Sequence, residues 1–222
     1  MSIIAMLVNV SKVFYVKLKC AQIDSWILVF YARLFPALIL GGTLFWVDYK
    51  IINPLKFWST TVVTSLLTIL ASILYLNSLK KGYLSVVVPI QSAIPLFMVA
   101  CTAALYQEVP HLISFGFILV IVASISVTLV LTQVNQAQEN RSVKQLGFTI
   151  LESIIAAMLF GISTVLDRVA IASVTHGALV YSAYWHIITT IILFPIIFLK
   201  SAPPNFPPNF PQHFLLSFYM RY

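Results

Sequence analysis

Apolar residues along this chain come in successive blocks, about seven of them between Met1 and Leu199, each near the ~20 residues that cross a ~30 Å hydrocarbon layer. Short polar gaps separate them. This pattern predicts an all-α, polytopic helical membrane protein. The first block, roughly Ile3 to Leu18, is short and carries Asn9, Ser11 and Lys12; the second, Trp26 to Val47, opens on interfacial aromatics and holds Arg33, Pro36 and Gly41-Gly42. The third, Thr60 to Ser78, is rich in Thr, Ser and Ala and ends in Tyr75-Leu-Asn77 before a Lys80-Lys81-Gly82 turn.

The fourth block, about Leu84 to Tyr106, contains Pro89 and Pro95. Each removes a backbone donor and crowds the preceding turn, so a kinked helix is expected. Ser92 or Ala93, Ala100 and Ala104 recur there at helical spacing as a small-residue stripe suited to close helix contact. A fifth block runs from Ile113 to Val134, and a polar linker rich in Gln, Asn and Glu follows. The sixth block, Leu146 to about Val169, contains Glu152, Gly161 and Ser163 and ends near Asp167-Arg168; the seventh, Ala178 to Leu199, carries Tyr181, Tyr184, Trp185 and His186 near its start. Beyond it, Pro203-Pro-Asn-Phe206 repeats as Pro207-Pro-Asn-Phe210, which favours an extended stretch, and Phe214 to Met220 is too short to cross.

Composition agrees with the blocks: 60% of the 222 residues are hydrophobic and 9% charged, against about 25% charged in soluble domains. The net charge of +7 does not mark a nucleic-acid surface, because the cations fall singly or in pairs at block ends. Cys20 and Cys101 have neither metal-ligand spacing nor a disulfide framework, and no cofactor fingerprint appears. The Met1 to Val10 segment lacks a basic start and a cleavage site, so it is expected to remain as the first helix.

Sliding the sequence onto itself sets Lys17 against Arg168, Ala21 against Ala172, Leu28-Val29 against Leu179-Val180 and Ala32 against Ala183 without a gap. Five helices would then separate the copies, and an odd number turns the second copy over in the membrane. Inverted repeats place a transporter's substrate site near the midplane.

Several stretches carry a family resemblance: Leu74-Tyr-Leu-Asn77-Ser-Leu79, Ser85-Val-Val-Val-Pro89-Ile90, the Pro95-Leu-Phe run, Glu108 and Gly116-Phe-Ile-Leu. On these the chain resembles the EamA-type branch of the drug/metabolite transporter superfamily, with Arg33 matching a family-typical arginine of the second helix. The resemblance implies two repeats of five helices, ten in all, whereas this chain offers one full repeat and about two helices of the next. The expected division is therefore 1–134 for the first repeat, 135–145 for the linker, 146–200 for a partial second repeat and 201–222 for a Pro-rich tail. Gln107 stands where the family often has a Gly before its glutamate, and the first helix has no acidic residue, so proton-coupled antiport is not implied.

Orientation divides the signals. The side holding Lys17, Lys19, Lys80, Lys81, Arg141, Lys144 and Lys200 outnumbers the side holding Lys50, Lys56 and Arg168, which sets the N-terminus outside; the resemblance implies a cytoplasmic one.

Ionisable groups inside a span cost about 2.5 to 3.5 kcal/mol at the helix centre, so each is a functional candidate by default. Glu152 could recognise an amine or exchange a proton, or else snorkel to the interface. His186 could couple protons, or sit neutral and bonded to a neighbouring helix. Arg33, Lys12 and Asp167-Arg168 are expected near span ends, where snorkelling explains them. Asn9, Tyr75, Ser92 and Ser163 offer hydrogen bonds without charge, as cavity wall or as helix-to-helix contact. Gly161-Ile-Ser163 with His186 faintly resembles an intramembrane serine protease, but Thr164 replaces the needed Gly and no base or oxyanion hole is evident.

The expectation is thus a membrane transporter of a small organic metabolite, without catalysis, cofactor, metal or nucleic acid, in a multi-pass setting such as a bacterial inner or plasma membrane. Its partners would be the lipid bilayer, a small-molecule substrate, and a second copy or another transporter half. The alternative is a non-transporting membrane subunit or an inactive truncated remnant.

Overall fold

A computed structural model of the chain describes residues 13–107 and 143–200, with Gly116, Val120 and Ala123 as isolated helical positions. Asn9, Lys12, the fifth block, the linker over 135–142 and the Pro-rich tail lie outside the described residues. After a helical stretch over 13–19, the elements are α1 (Ser25–Thr43), α2 (Pro54–Lys81), α3 (Leu84–Gln91), α4 (Ile94–Tyr106), α5 (Val143–Ile171) and α6 (Gly177–Lys200). Five stretches among the described residues are long and apolar enough to cross a membrane, with α3 and α4 together making one of them.

The helix ends follow local chemistry. Asp24 caps α1, its Oδ1 accepting the Trp26 N–H at 2.9 Å, which satisfies one of the free amides of the first turn. Asn53 does the same for α2 through the Lys56 N–H at 3.2 Å, and Pro54 occupies the first helical position, where a missing N–H costs nothing. That cap starts α2 six residues before the Thr60 expected from hydropathy. At the far end of α4, Gln107 takes a left-handed conformation with φ 55° and donates its N–H to the Ala103 carbonyl at 3.1 Å. A Gly, as in the family that the chain resembles, fits this position, because a left-handed cap burdens any side chain.

The fourth block is broken, not merely bent. Pro95 has no N–H for the Gln91 carbonyl, and Pro89 cannot serve Ser85. The chain answers with tight turns, Ser92 N–H to Pro89 O at 3.0 Å and Ala93 N–H to Ile90 O at 3.0 Å, before α4 restarts. The expected stripe dissolves in consequence: Ala93 is buried in the break while Ala100 and Ala104 are exposed, and α4 has no buried residue.

Packing divides the chain into two compact units, residues 1–66 with 169–222 and residues 67–168. In the first, α1 packs along α6, with a core of Phe57, Ala170, Val174, Val180, Tyr181 and Trp185. Two connections meet beside this core as an antiparallel clasp. Ile51 bridges Val174, the Thr175 N–H reaches the Lys50 carbonyl at 3.0 Å, and the Ile52 N–H reaches the Ser173 carbonyl at 2.9 Å. The Lys50 N–H adds a bond to Thr175 Oγ1 at 2.7 Å. In the second unit α5 lies against α3 and α4, and Gly161 is a point of close approach to α4. A Cβ there would stand 2.6 Å from Phe97 Cβ and 3.1 Å from the Met98 nitrogen.

Candidate functional site

The second unit places a charged pair beside the broken span. Glu152, on α5, is buried, and its Oε1 lies 3.6 Å from Lys81 Nζ at the end of α2. Lys81 is half exposed and also covers the Phe148 ring at 5.5 Å, so its stem lies along apolar surface while its ammonium reaches outward. The other carboxylate oxygen, Oε2, is buried with no hydrogen-bond partner among the described residues, and so is the hydroxyl of Ser153 next to it. Gln91, the last residue of α3 before the break, donates from Nε2 to the Ser153 carbonyl at 3.1 Å. A buried acceptor, a nearby cation and an interrupted helix thus converge on one turn of α5.

The first unit holds a different set. Arg33 of α1 lies over the Trp185 ring of α6, its guanidinium carbon 4.3 Å from the ring centre. Arg33 stands eight residues beyond Ser25, which places it about 12 Å along the helix and corrects the expectation of a position near the span end. His186, edge-on to Trp185, is buried, and its Nδ1 has no hydrogen-bond partner among the described residues. Around them, Tyr181 shares a hydrogen bond with Thr64 at 3.0 Å, and the hydroxyls of Tyr49 and Tyr184 are bonded to each other. Tyr184 also meets Phe57 and Trp58 edge to face, at 5.7 and 5.1 Å.

Of the six residues singled out in the sequence, Tyr75, Ser92, Glu152 and Ser163 belong to the second unit and His186 to the first, while Asn9 lies outside the described residues. Tyr75 is half-buried on α2. Ser92 sits in the turn between α3 and α4, exposed, its hydroxyl donating to the Pro89 carbonyl. Ser163 is buried and donates to the Phe160 carbonyl of its own helix at 3.1 Å. That bond satisfies the donor of the hydroxyl within its own helix. Lys81, Gln91, Ser153 and Trp185 were not singled out as site residues. A lysine closing one span before a Gly turn, followed by a glutamate two turns into another, was the available signal for the ion pair.

These features define a polytopic α-helical membrane protein with a discontinuous span and buried polar groups. The EamA-like transporter family matches residues 1–130, and the chain belongs to that family and so to the drug/metabolite transporter superfamily. No curated protein and no solved structure matches it.

Proposed function

We propose that this protein carries a small organic solute across the bilayer by alternating exposure of a midplane cavity, the candidates for polar contacts with it being Tyr75, Ser92, Glu152 and Ser163 in one unit and, as a separate set, His186 and Asn9 in the other. Family membership supports transport as the activity. The observation that carries the reading further is the break between α3 and α4 beside Glu152. Discontinuous helices in transporters free backbone groups at membrane depth, and such groups are tolerated where they face protein or a wet path. Two prolines six residues apart interrupt the span where Gln91 bonds the turn of α5 that carries Glu152, whose Oε2 is buried with no hydrogen-bond partner among the described residues.

The test is reconstitution of the full chain in liposomes and uptake of a broad panel of labelled metabolites. Wild-type protein is expected to move at least one of them, and the Pro89→Ala/Pro95→Ala variant to fold yet lose most of that flux. Movement of nothing from the panel, or unchanged flux in the double variant, would overturn the proposal.

A further inference from the structure

The Lys81–Glu152 pair is poorly made for a fixed structural contact. The Glu152 side chain is 9% exposed, yet its Oε1 lies 3.6 Å from Lys81 Nζ, beyond the ~2.7–2.9 Å of a charge-assisted hydrogen bond. Its Oε2 has no hydrogen-bond partner among the described residues. A buried ion pair offsets the cost of desolvation only with close geometry and further hydrogen bonds to the spare lone pairs. Lys81, by contrast, is 48% exposed at the end of α2, and the Phe148 ring, 5.5 Å from Nζ, offers its ammonium a second seat. The turn that carries this lysine is pressed onto α5: a Cβ at Gly82 would strike Thr149 Cγ2, about one helical turn before Glu152, and stand 2.8 Å from the Ser78 carbonyl oxygen. The backbone is held, and the lysine arm is left to move.

We infer that Glu152 receives the ammonium of a primary amine solute, and that Lys81 holds the place of that ammonium until the solute displaces it onto Phe148. The space beside Oε1 already takes an unbranched alkylammonium that reaches in from the exposed side, so it admits another of the same shape once the arm has swung out. A free ammonium has no fixed backbone to hold it at 3.6 Å, and it brings three N–H donors to a carboxylate that has none at hydrogen-bond distance among the described residues. A quaternary ammonium brings the charge without the donors. The tethered lysine competes at high effective concentration, which holds down the affinity for the solute. Glu152 lies five residues beyond Gly147, where its span begins, or about 8 Å into the layer, which makes this an entry site at one membrane face. As a step in transport it rests on the reading above, whereas as a binding site it rests on the geometry of the pair.

Its test uses the purified full chain in detergent micelles with butylammonium, tetramethylammonium and butyrate as probes, read by thermal unfolding and titration calorimetry, neither of which needs transport. Butylammonium is expected to bind saturably and to raise the unfolding temperature, and the other two to do neither. A fixed structural pair would leave the wild type without butylammonium binding. Glu152→Gln should weaken butylammonium by about tenfold or more. Lys81→Met should strengthen it by about tenfold, because the tethered competitor is gone, and butylammonium should restore much of that variant's lost stability. If Lys81→Met does not fold, Lys81→Arg carries the comparison: its forked guanidinium grips the carboxylate more firmly and should weaken butylammonium by about threefold or more. Equal binding of butylammonium and tetramethylammonium, binding of none of the probes, or affinity unchanged in the Glu152 and Lys81 variants that fold would overturn the inference. Glu152-dependent binding with no flux of any panel solute would instead defeat the transport proposal alone, and flux of an amine indifferent to Glu152→Gln would defeat this one alone.

Discussion

The two packed units handle polar groups in a membrane in opposite ways. Residues 67–168 concentrate theirs at one turn of α5, where Lys81, Glu152, Gln91 and Ser153 meet, and depend on Gly82 and Gly161 for close approach to α5 and α4 respectively. The unit formed by 1–66 and 169–222 spreads its polar groups over a network of hydroxyls, rings and one guanidinium, bordered by a backbone clasp. Concentration makes each contact expensive to lose. Distribution makes each one cheap, because in a bilayer the loosened state also finds partners and an interhelical hydrogen bond averages only about 0.6 kcal/mol.

Substitutions rank the contrast, with stability read from thermal unfolding in detergent micelles and from denaturation in mixed micelles. Gly161→Leu should do the most damage, about 3 kcal/mol, because its side chain would enter the first turns of α4 where the nearest atoms include backbone. A stable Gly161→Leu protein would show that α5 and α4 are not pressed together. Next, Lys81→Met should cost about 2 kcal/mol by leaving the Glu152 carboxylate buried without its cation, a loss moderated by the exposure of Lys81. Glu152→Gln should cost less than about 1 kcal/mol, and adding it to Lys81→Met should recover most of the loss. Equal effects of the two single changes would break the assignment of Glu152 as the buried partner.

A gain is expected at the end of α4. Gln107→Gly should stabilise by about 1 kcal/mol, since φ 55° burdens glutamine and not glycine. Smallest of all, Thr64→Val or Tyr184→Phe should each cost about 0.6 kcal/mol, in keeping with a distributed network. A loss above about 2 kcal/mol at either would mean that the aromatic unit, too, hangs on a single contact.

Much of the architecture was legible from hydropathy and from prolines. Span length and composition marked α1, α5 and α6 to within about four residues and α2 except for its first six, and Pro89 with Pro95 foretold a disturbance in the fourth block. Its severity was not legible, because whether two prolines bend a helix or sever it depends on what accepts the loosened turn, here Gln91 bonded to the α5 backbone. The charged pair and the stacked arginine were hidden for a related reason. Lys81 and Glu152 lie far apart in sequence, as do Arg33 and Trp185, and no local periodicity reports a contact between distant helices. Arg33 had one local sign, a charge in mid-span, but hydropathy had carried the second block to Val47, past the actual helix end at Thr43.

The clasp between Lys50–Asn53 and Ser173–Thr175 has a topological consequence. Two connections joined backbone to backbone within about 3 Å lie at the same depth, so the stretch after α1 and the stretch before α6 emerge on one face of the membrane. In a background lacking Cys20 and Cys101, cysteines introduced at Asp48 and His176 should therefore react together with an impermeant maleimide from one side of sealed vesicles, and be spared together from the other.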